Sequence, residues 1–127
     1  MVREFHEAFQ PPLRDAPKAS VPAELVETRR CLLKEEVGEL DDACAEGNLI
    51  GIADSLADVV YVAYGTALTF GIDLDRVLAE VHRSNMSKLG PDGQPLIAPS
   101  GKVIKGPLYQ PPRIACTLWP TDEWHRD

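Results

Sequence analysis

Five acidic side chains have the types and spacing to do chemistry in this sequence. They fall in two short stretches: Glu35, Glu36 and Glu39, then Asp54 and Asp58. Read as a helix, the first stretch places Glu36 and Glu39 in one row with Leu32 and Ala43. Two acids therefore interrupt a stripe that is otherwise apolar, and we expect them to point inward.

The second stretch stands inside a long apolar segment. Between Leu49 and Ile72, Asp54 and Asp58 are the only charged residues. A helix that is apolar on every side is a buried helix, and a buried carboxylate without a partner is strongly unfavourable or loses its charge. The two aspartates share one face at a spacing of i, i+4. Their charge must be offset within the folded protein.

Two such helices packed side by side would collect about five carboxylates in one small space. No basic residue stands between the acids of either stretch, so divalent cations are the natural counter-charge. An all-oxygen ligand set suits Mg²⁺, with Mn²⁺ as a possible substitute, rather than zinc. The alternative for Glu35 and Glu36 is an ordinary solvated helix face.

The composition of the whole chain narrows the classes of function. Its 127 residues suit one domain over 1–127, with a helical body at 1–89 and a C-terminal loop and tail at 90–127. A net charge of −7 argues against a nucleic-acid polymer or an anionic membrane as partner. No apolar run of membrane-spanning length is free of charges, and the N-terminus has no signal-peptide pattern. We therefore expect a cytoplasmic protein.

Cysteine and histidine offer no second metal site. Cys31, Cys44 and Cys116 lack a C-x-x-C spacing, and we expect buried or chemically idle thiols. The absence of a Glu-x-x-His motif disfavours a di-iron carboxylate bundle, which is the competing use of inward acids.

Apolar periodicity predicts an all-α fold with four main helices, at about 2–10, 21–46, 49–70 and 74–89. Pro11-Pro12 should end the first helix. Ser20 with Pro22 should begin the second, and Gly47 should end it. Asp73 should cap the fourth helix.

Packing predictions follow from the same periodicity. One face of the second helix should supply the core through Leu33, Val37, Leu40 and Cys44. Phe5 and Phe9 should pack in the core or form an aromatic wall for a bound base, and His6 should be exposed. The third helix is apolar on all sides, which one short chain can hardly cover, so we expect a second subunit to pack against it.

The C-terminal region is different in character, because seven of the eleven prolines fall between Pro91 and Pro120. The segment 96–104 has the pattern of a small hairpin. A basic glycine-proline loop follows and could fold over phosphates, although a plain surface hairpin is the alternative. The candidate substrate-binding residues at the end of the fourth helix and in this region are Asn85, Lys88, Lys102, Lys105 and Tyr109.

A family resemblance follows from these motifs. The sequence Glu35-Glu36-x-x-Glu39, followed by Asp54-x-x-x-Asp58-Val-Val-Tyr, resembles the all-α nucleotide pyrophosphohydrolase superfamily, which holds MazG, phosphoribosyl-ATP pyrophosphohydrolase and the dimeric dUTPases. The run from Glu80 to Gly90 and the run Gly101-Lys-Val-Ile-Lys-Gly-Pro are similar to its small MazG-like members. The resemblance covers about residues 2–113.

The resemblance implies a MazG-like helical bundle that forms a homodimer or a dimer of dimers. It implies an enzyme that uses Mg²⁺ to cut a nucleoside triphosphate between the α and β phosphates, giving a monophosphate and diphosphate in nucleotide-pool housecleaning. Carried over by position, Glu35, Glu36 and Glu39 match the first acidic motif and Asp58 the last acid of the second. Glu36 or Glu39 is our candidate for the base that accepts the proton of the attacking water.

One position departs from the family pattern. Ser55 stands where the superfamily has a glutamate three residues before Asp58, and Asp54 is our candidate to take its place. Two alternatives remain open at this stage. One is a phosphoribosyl-ATP pyrophosphohydrolase, and the other is a non-catalytic dimeric helical module that binds metal for structure.

Overall fold

The computed structural model of the chain describes residues 1–9 and 16–120. Five helices lie in this part of the chain: α1 (Val2–Phe9), α2 (Ala23–Glu46), α3 (Leu49–Thr69), α4 (Leu74–Met86) and the short α5 (Ile114–Leu118). The first four are the four main helices that the sequence predicts, so the all-α fold is confirmed. Pro11 and Pro12, predicted to end α1, lie outside the described residues.

The chain divides into two compact units, Met1–Ile72 and Asp73–Asp127. In the first unit, α2 and α3 form an antiparallel pair. Gly47 joins the two helices in the left-handed conformation, at φ 64°, and donates its N–H to the last carbonyls of α2. Asn48 then caps α3, because its side-chain oxygen accepts the Gly51 N–H at 3.0 Å. The predicted glycine at this turn is confirmed.

The predicted start of α2 is wrong by two residues. The helix begins at Ala23, and Pro22 precedes it with extended backbone and no side-chain cap. A proline pushes the residue before it, here Val21, towards extended backbone. Ser20 is therefore too far from the first free N–H groups of the helix to cap them. The Pro22 carbonyl accepts the N–H groups of Leu25 and Val26 instead.

Few apolar side chains are buried within this unit. Ala43 and Ala67 are the buried apolar residues of the described chain. The predicted core face of α2 is wrong in this respect, because Val37 is 41% exposed and Cys44 is exposed. All three cysteines are free and exposed, so burial, one of the two predicted alternatives, is wrong, and chemically idle thiols stay a prediction.

The outer face of α3 carries an uncovered apolar stripe. Leu49, Ala53, Leu56 and Val60 recur at i, i+4, i+7 and i+11, and all four are exposed, with Leu49 at 77% and Val60 at 54%. This is the helix that the sequence predicts to be apolar on every side. Within one chain, α2 covers only one of its faces.

Among the described residues, α3 is also long and apolar enough to cross a bilayer by length and composition, with a mean hydropathy of 1.3. A single helix of this kind is weak evidence, because core helices of soluble proteins meet the same criteria.

A buried cation links α1, α2 and α3. Arg29 and His6 are each 4% exposed, so the predicted exposure of His6 is wrong. The Arg29 guanidinium donates to Thr66 Oγ1 at 3.2 Å and to the Val62 carbonyl at 2.9 Å. Gly65 makes the room, since a Cβ at this position would collide with both Arg29 Nη2 and His6 Nε2. Burial first, and then the Arg29 charge, lower the pKa of His6, which keeps the ring neutral.

The second unit begins with α4, where the Asp73 carboxylate accepts the Arg76 N–H at 3.2 Å and confirms the predicted cap. The helix ends at Met86, three residues before the predicted end. The predicted hairpin is reduced to one antiparallel bridge between Ile97 and Val103. The flanking bond from the Ile104 N–H to the Leu96 carbonyl measures 2.7 Å.

Candidate metal centre

Three acids from the two helices of the antiparallel pair converge. One carboxylate oxygen each from Glu36, Glu39 and Asp58 lies within 4.8 Å of the other two. Glu36 and Glu39 stand one helical turn apart on α2, and Asp58 faces them from α3. Glu36 and Asp58 are half-buried, and Glu39 is exposed. The two acids of the row predicted from the sequence therefore form, together with Asp58, a group of three negative charges.

Glu36 carries the strongest sign that this group needs a cation. Its Oε2 atom is buried and has no hydrogen-bond partner within the described structure. Burial first, and then the charges of Glu39 and Asp58, raise the pKa of Glu36. A buried acceptor without a donor is costly, and a bound cation removes both the missing contact and the repulsion.

The donor set fits magnesium. Every candidate ligand is a carboxylate oxygen, which is the ligand that Mg²⁺ and Mn²⁺ prefer. Three carboxylates also leave coordination positions for water and for phosphate oxygens, as magnesium sites that act on phosphates require.

The structure does not bring all predicted metal ligands into this group. Glu35 is exposed and lies one residue before Glu36, so it points to a different side of α2. Asp54 is exposed and lies one turn before Asp58, outside the group of three. Ser55, at the position of the family glutamate, is 6% exposed. The metal-binding roles of Glu35 and Asp54 stay predictions.

Three of the five predicted substrate-binding residues lie near one another in the second unit. The Gly106 N–H donates to the Lys88 carbonyl at 3.1 Å, which brings the glycine-proline loop to the end of α4. The Lys105 ammonium lies 4.7 Å from the centre of the Tyr109 ring, as a cation–π contact. Asn85 is exposed on α4, and Lys102 is exposed next to the bridge.

Sequence reasoning missed a polar row that follows one face of α4 and ends at Ser87, the residue that caps the helix. Glu80, Arg83, Ser84 and Ser87 bind the segment Gln110–Arg113 through side-chain hydrogen bonds. The signal was present, because their spacing of i, i+3, i+4 and i+7 predicts one helix face. It also missed Arg29 and His6, for which Gly65 in the middle of an apolar helix was the available sign.

A model of the family described as phosphoribosyl-ATP pyrophosphohydrolase matches residues 2–85, which is more than half of the chain. The chain belongs to the phosphoribosyl-ATP pyrophosphohydrolase family. All three converging acids fall within the matched residues. The relationship to the all-α MazG-like superfamily, predicted from the acidic motifs, is therefore confirmed.

Two further proteins are similar to this member of the phosphoribosyl-ATP pyrophosphohydrolase family. The first is a crystal structure of a candidate NTP pyrophosphohydrolase from Exiguobacterium sp. 255-15, with 27% identity, a TM-score of 0.50, and coverage of 90% of this chain and 88% of the other. The second is an uncharacterized protein of Acanthamoeba polyphaga mimivirus, 40% identical over 80 residues, or 63% of this chain. The aligned region spans only 30% of the length of that curated relative.

The raised pKa of Glu36 gives a stability prediction for the metal-free protein. A carboxyl whose pKa is higher in the folded than in the unfolded state stabilises the fold at low pH, and this stabilisation is lost as the pH rises through the folded-state pKa. We expect the free energy of unfolding in chelator to fall relative to that of Glu36→Gln as the pH rises above the ordinary pKa of a glutamate, because the raised pKa of Glu36 lies above that value. Urea unfolding of both proteins at fixed concentration measures this difference.

With added Mg²⁺, the wild type should have the higher free energy of unfolding of the two proteins. The ion binds the charged carboxylates of the folded wild type and stabilises it by mass action, whereas Glu36→Gln has lost one ligand and gains less. Parallel pH profiles for wild type and Glu36→Gln in chelator would show that Glu36 is not under strain.

Proposed function

We propose that the chain is a Mg²⁺-dependent nucleoside triphosphate pyrophosphohydrolase, which converts a (d)NTP and water into a (d)NMP and diphosphate. The convergence of Glu36, Glu39 and Asp58 around a buried carboxylate oxygen without a partner carries this proposal. Membership of a pyrophosphohydrolase family supports it.

Each acid has a role in the proposed reaction. Glu36, Glu39 and Asp58 hold the metal, with Glu35 and Asp54 as further candidate ligands from outside the group of three. Bound magnesium neutralises phosphate charge and lowers the pKa of a water molecule. Glu36 or Glu39 accepts the proton of the attacking water as it adds to phosphorus.

The substrate contacts are proposed from the second unit. Lys88, Lys102 and Lys105 offer charge for phosphate oxygens, and Asn85 and Tyr109 offer polar contacts to sugar or base. Cation and amide donors of this kind are the usual partners of a polyphosphate. We propose a housecleaning role in the cytoplasm, on surplus or non-standard nucleotides.

Diphosphate release from a panel of nucleoside triphosphates tests the proposal. The panel includes the canonical ribo- and deoxyribonucleotides, dUTP and oxidised or deaminated bases, each with Mg²⁺ or Mn²⁺ and with or without chelator. Release that chelator abolishes supports the proposal, and the preferred base names the substrate. Release that persists in excess chelator contradicts the metal dependence.

Phosphoribosyl-ATP is the second candidate substrate, because the matching family model carries its name. The same assay with phosphoribosyl-ATP separates the two, since its cleavage also releases diphosphate. Turnover of phosphoribosyl-ATP alone would replace the nucleotide-pool role. Metal-dependent melting without turnover of any substrate would favour the non-catalytic module.

We also propose that a second copy of this chain covers the apolar stripe of α3. Leu49, Ala53, Leu56 and Val60 present an unbroken row with no charged residue in it, and exposed stripes of this kind mark protein contacts. A second copy places the same stripe opposite itself, so each copy covers the other. The assembly is then a homodimer or a dimer of dimers.

Light scattering after size exclusion tests the assembly. We expect the wild type to have at least twice the mass of one chain, and Val60→Glu to shift to a smaller species because a buried carboxylate in the interface is unfavourable. Ala45→Glu, an added charge at an exposed position of α2, is the control. A monomeric wild type would contradict the proposal.

A further inference from the structure

The polar row of α4 fastens the segment after the glycine-proline loop to the helix. Glu80 is central to it. The Arg83 guanidinium donates to both Glu80 carboxylate oxygens, with Nε at 3.1 and 3.0 Å and Nη2 at 2.7 Å. The Arg113 backbone N–H donates to Glu80 Oε1 at 2.8 Å. One carboxylate thus holds a helix side chain and the tail together.

Arg83 and two serines complete the contact with the tail. Arg83 donates to the Gln110 side-chain oxygen at 3.1 Å and to the Pro111 carbonyl at 3.3 Å. Ser84, which is 2% exposed, donates to the Gln110 carbonyl at 2.8 Å. Ser87 Oγ accepts the Gln110 N–H at 2.9 Å. The backbone N–H and carbonyl of Gln110 and the carbonyl of Pro111 are therefore held by α4 and its capping residue.

The preceding loop is held at its other end as well. A Cβ on Gly106 would lie 2.9 Å from the Lys88 carbonyl oxygen and 3.0 Å from that of Leu89, so the backbones touch there. The Tyr109 N–H closes the turn by donating to the Gly106 carbonyl at 3.1 Å. Only three residues separate Gly106 from Gln110. The backbone positions of Lys105, next to Gly106, and of Tyr109, next to Gln110, are therefore set by contacts with α4 and with the residues just after it.

We infer that Glu80, Arg83, Ser84 and Ser87 are positioning residues, which hold Lys105 and Tyr109 in the arrangement that receives the substrate. This inference rests on the proposed function, because it takes Lys105 and Tyr109 as substrate contacts. We call the four residues the α4 anchor. A loop that is held before binding loses little conformational freedom when the substrate arrives, so the anchor acts on affinity.

Electrostatics make Glu80 a suitable centre for the anchor. The Arg83 hydrogen bonds first, and then the Arg113 N–H, lower the pKa of Glu80 to about 2. The carboxylate therefore stays charged at any pH at which the enzyme is assayed. An isolated surface ion pair contributes little, but this pair is bidentate, and each partner also binds the tail.

Steady-state kinetics test the inference on the substrate that the panel identifies. We expect Glu80→Gln and Arg83→Met to raise KM about 10-fold and to change kcat less than about 2-fold, because a positioning defect weakens binding more than chemistry. Arg83→Lys keeps the charge but not the bidentate hydrogen bonds of the guanidinium, and its KM should lie between those of the wild type and Arg83→Met. Arg76→Met is the matched control, because Arg76 is exposed on α4 and its backbone N–H donates to Asp73 rather than to the tail.

Hydrogen exchange of the same variants measures how firmly the α4 anchor holds the loop, and it needs no activity assay. We expect the amides of Gly106, Tyr109 and Gln110 to exchange at least about 10-fold faster in Arg83→Met and Ser84→Ala than in the wild type or Arg76→Met. Unchanged exchange rates would show that the α4 anchor does not hold the loop. Faster exchange with unchanged KM would overturn its role in substrate binding.

Lys105→Ala tests the substrate contact of Lys105 separately from the positioning role of the α4 anchor. An unchanged KM in Lys105→Ala would show that the proposed substrate contact is wrong, even with the hydrogen-exchange result intact. A raised KM in Lys105→Ala together with a wild-type KM in Arg83→Met would show the opposite, that the contact is real and the anchor does not position it.

Discussion

Asp58→Asn should lower the rate of diphosphate release by about 10³-fold or more. The substitution keeps the size of the side chain and removes one of the three converging charges, and metal ions contribute several kcal/mol to transition states of this type. Asp58 is the only member of the group on α3. Its loss therefore leaves a metal held from one helix, with weaker binding and poorer geometry.

Asp42→Asn is the matched control for this substitution. Asp42 is an exposed aspartate on α2 outside the group of three, so the change in net charge is the same. Calorimetric titration with Mn²⁺ should show weaker binding by Asp58→Asn and wild-type binding by Asp42→Asn. Activity within about 10-fold of wild type in Asp58→Asn would refute the metal assignment.

Asp54→Asn decides the remaining assignment on α3. Because Asp54 is exposed and outside the group, we expect a smaller loss of activity than for Asp58→Asn. An equal loss would mean that Asp54 turns towards the metal when it binds, as the sequence prediction requires.

The largest effect on stability should come from Gly71→Ala, which we expect to lower the free energy of unfolding by about 2–5 kcal/mol. Gly71 has a φ of 70°, in the left-handed region that alanine avoids. Its Cβ would also collide with the Ala16 backbone carbonyl, which cannot move aside as a side chain can. The neighbouring bond from the Lys18 N–H to the Phe70 carbonyl, at 2.9 Å, holds the same linker.

Two other glycines distinguish the cost of backbone strain at positive φ from the cost of a steric clash of the added Cβ. Gly47→Ala has the same strain, at φ 64°, but meets no atom within 4 Å, and should cost only about 1 kcal/mol. Gly38 is inside α2 with no positive φ and open space around it, so Gly38→Ala should stabilise by about 0.5–1 kcal/mol. Urea unfolding at one protein concentration measures all three. Equal effects at Gly71 and Gly47 would show that the Ala16 contact is not tight.

Most of the helical scaffold could be predicted from the sequence, because its signals are local. The turn at Gly47 and Asn48 and the cap at Asp73 depend on a few neighbouring residues. The inward row of Glu36 and Glu39 depends only on helical spacing, and Asp58 stood out against an apolar segment. Such features can be predicted without knowing which helix faces pack together.

The rest depends on which faces meet. The sequence could not show that α2 turns Arg29 towards α3 and leaves Val37 exposed, because both faces are partly apolar. Asp54 and Asp58 have the same spacing as a pair of ligands, yet only Asp58 reaches the group. The α4 anchor was missed because its partner is a segment more than 20 residues away, with no periodic pattern of its own.

With Ala43 and Ala67 as the buried apolar residues of the described chain, folding and assembly become one equilibrium if a second copy covers α3. Dilution then unfolds part of the protein, because mass action favours the separated chains and these are less stable than the assembly. An assay at low enzyme concentration would show lost activity that has nothing to do with the acids. Every comparison of variants should therefore be repeated across protein concentrations, and abundance in the cell would set how much of the chain is folded.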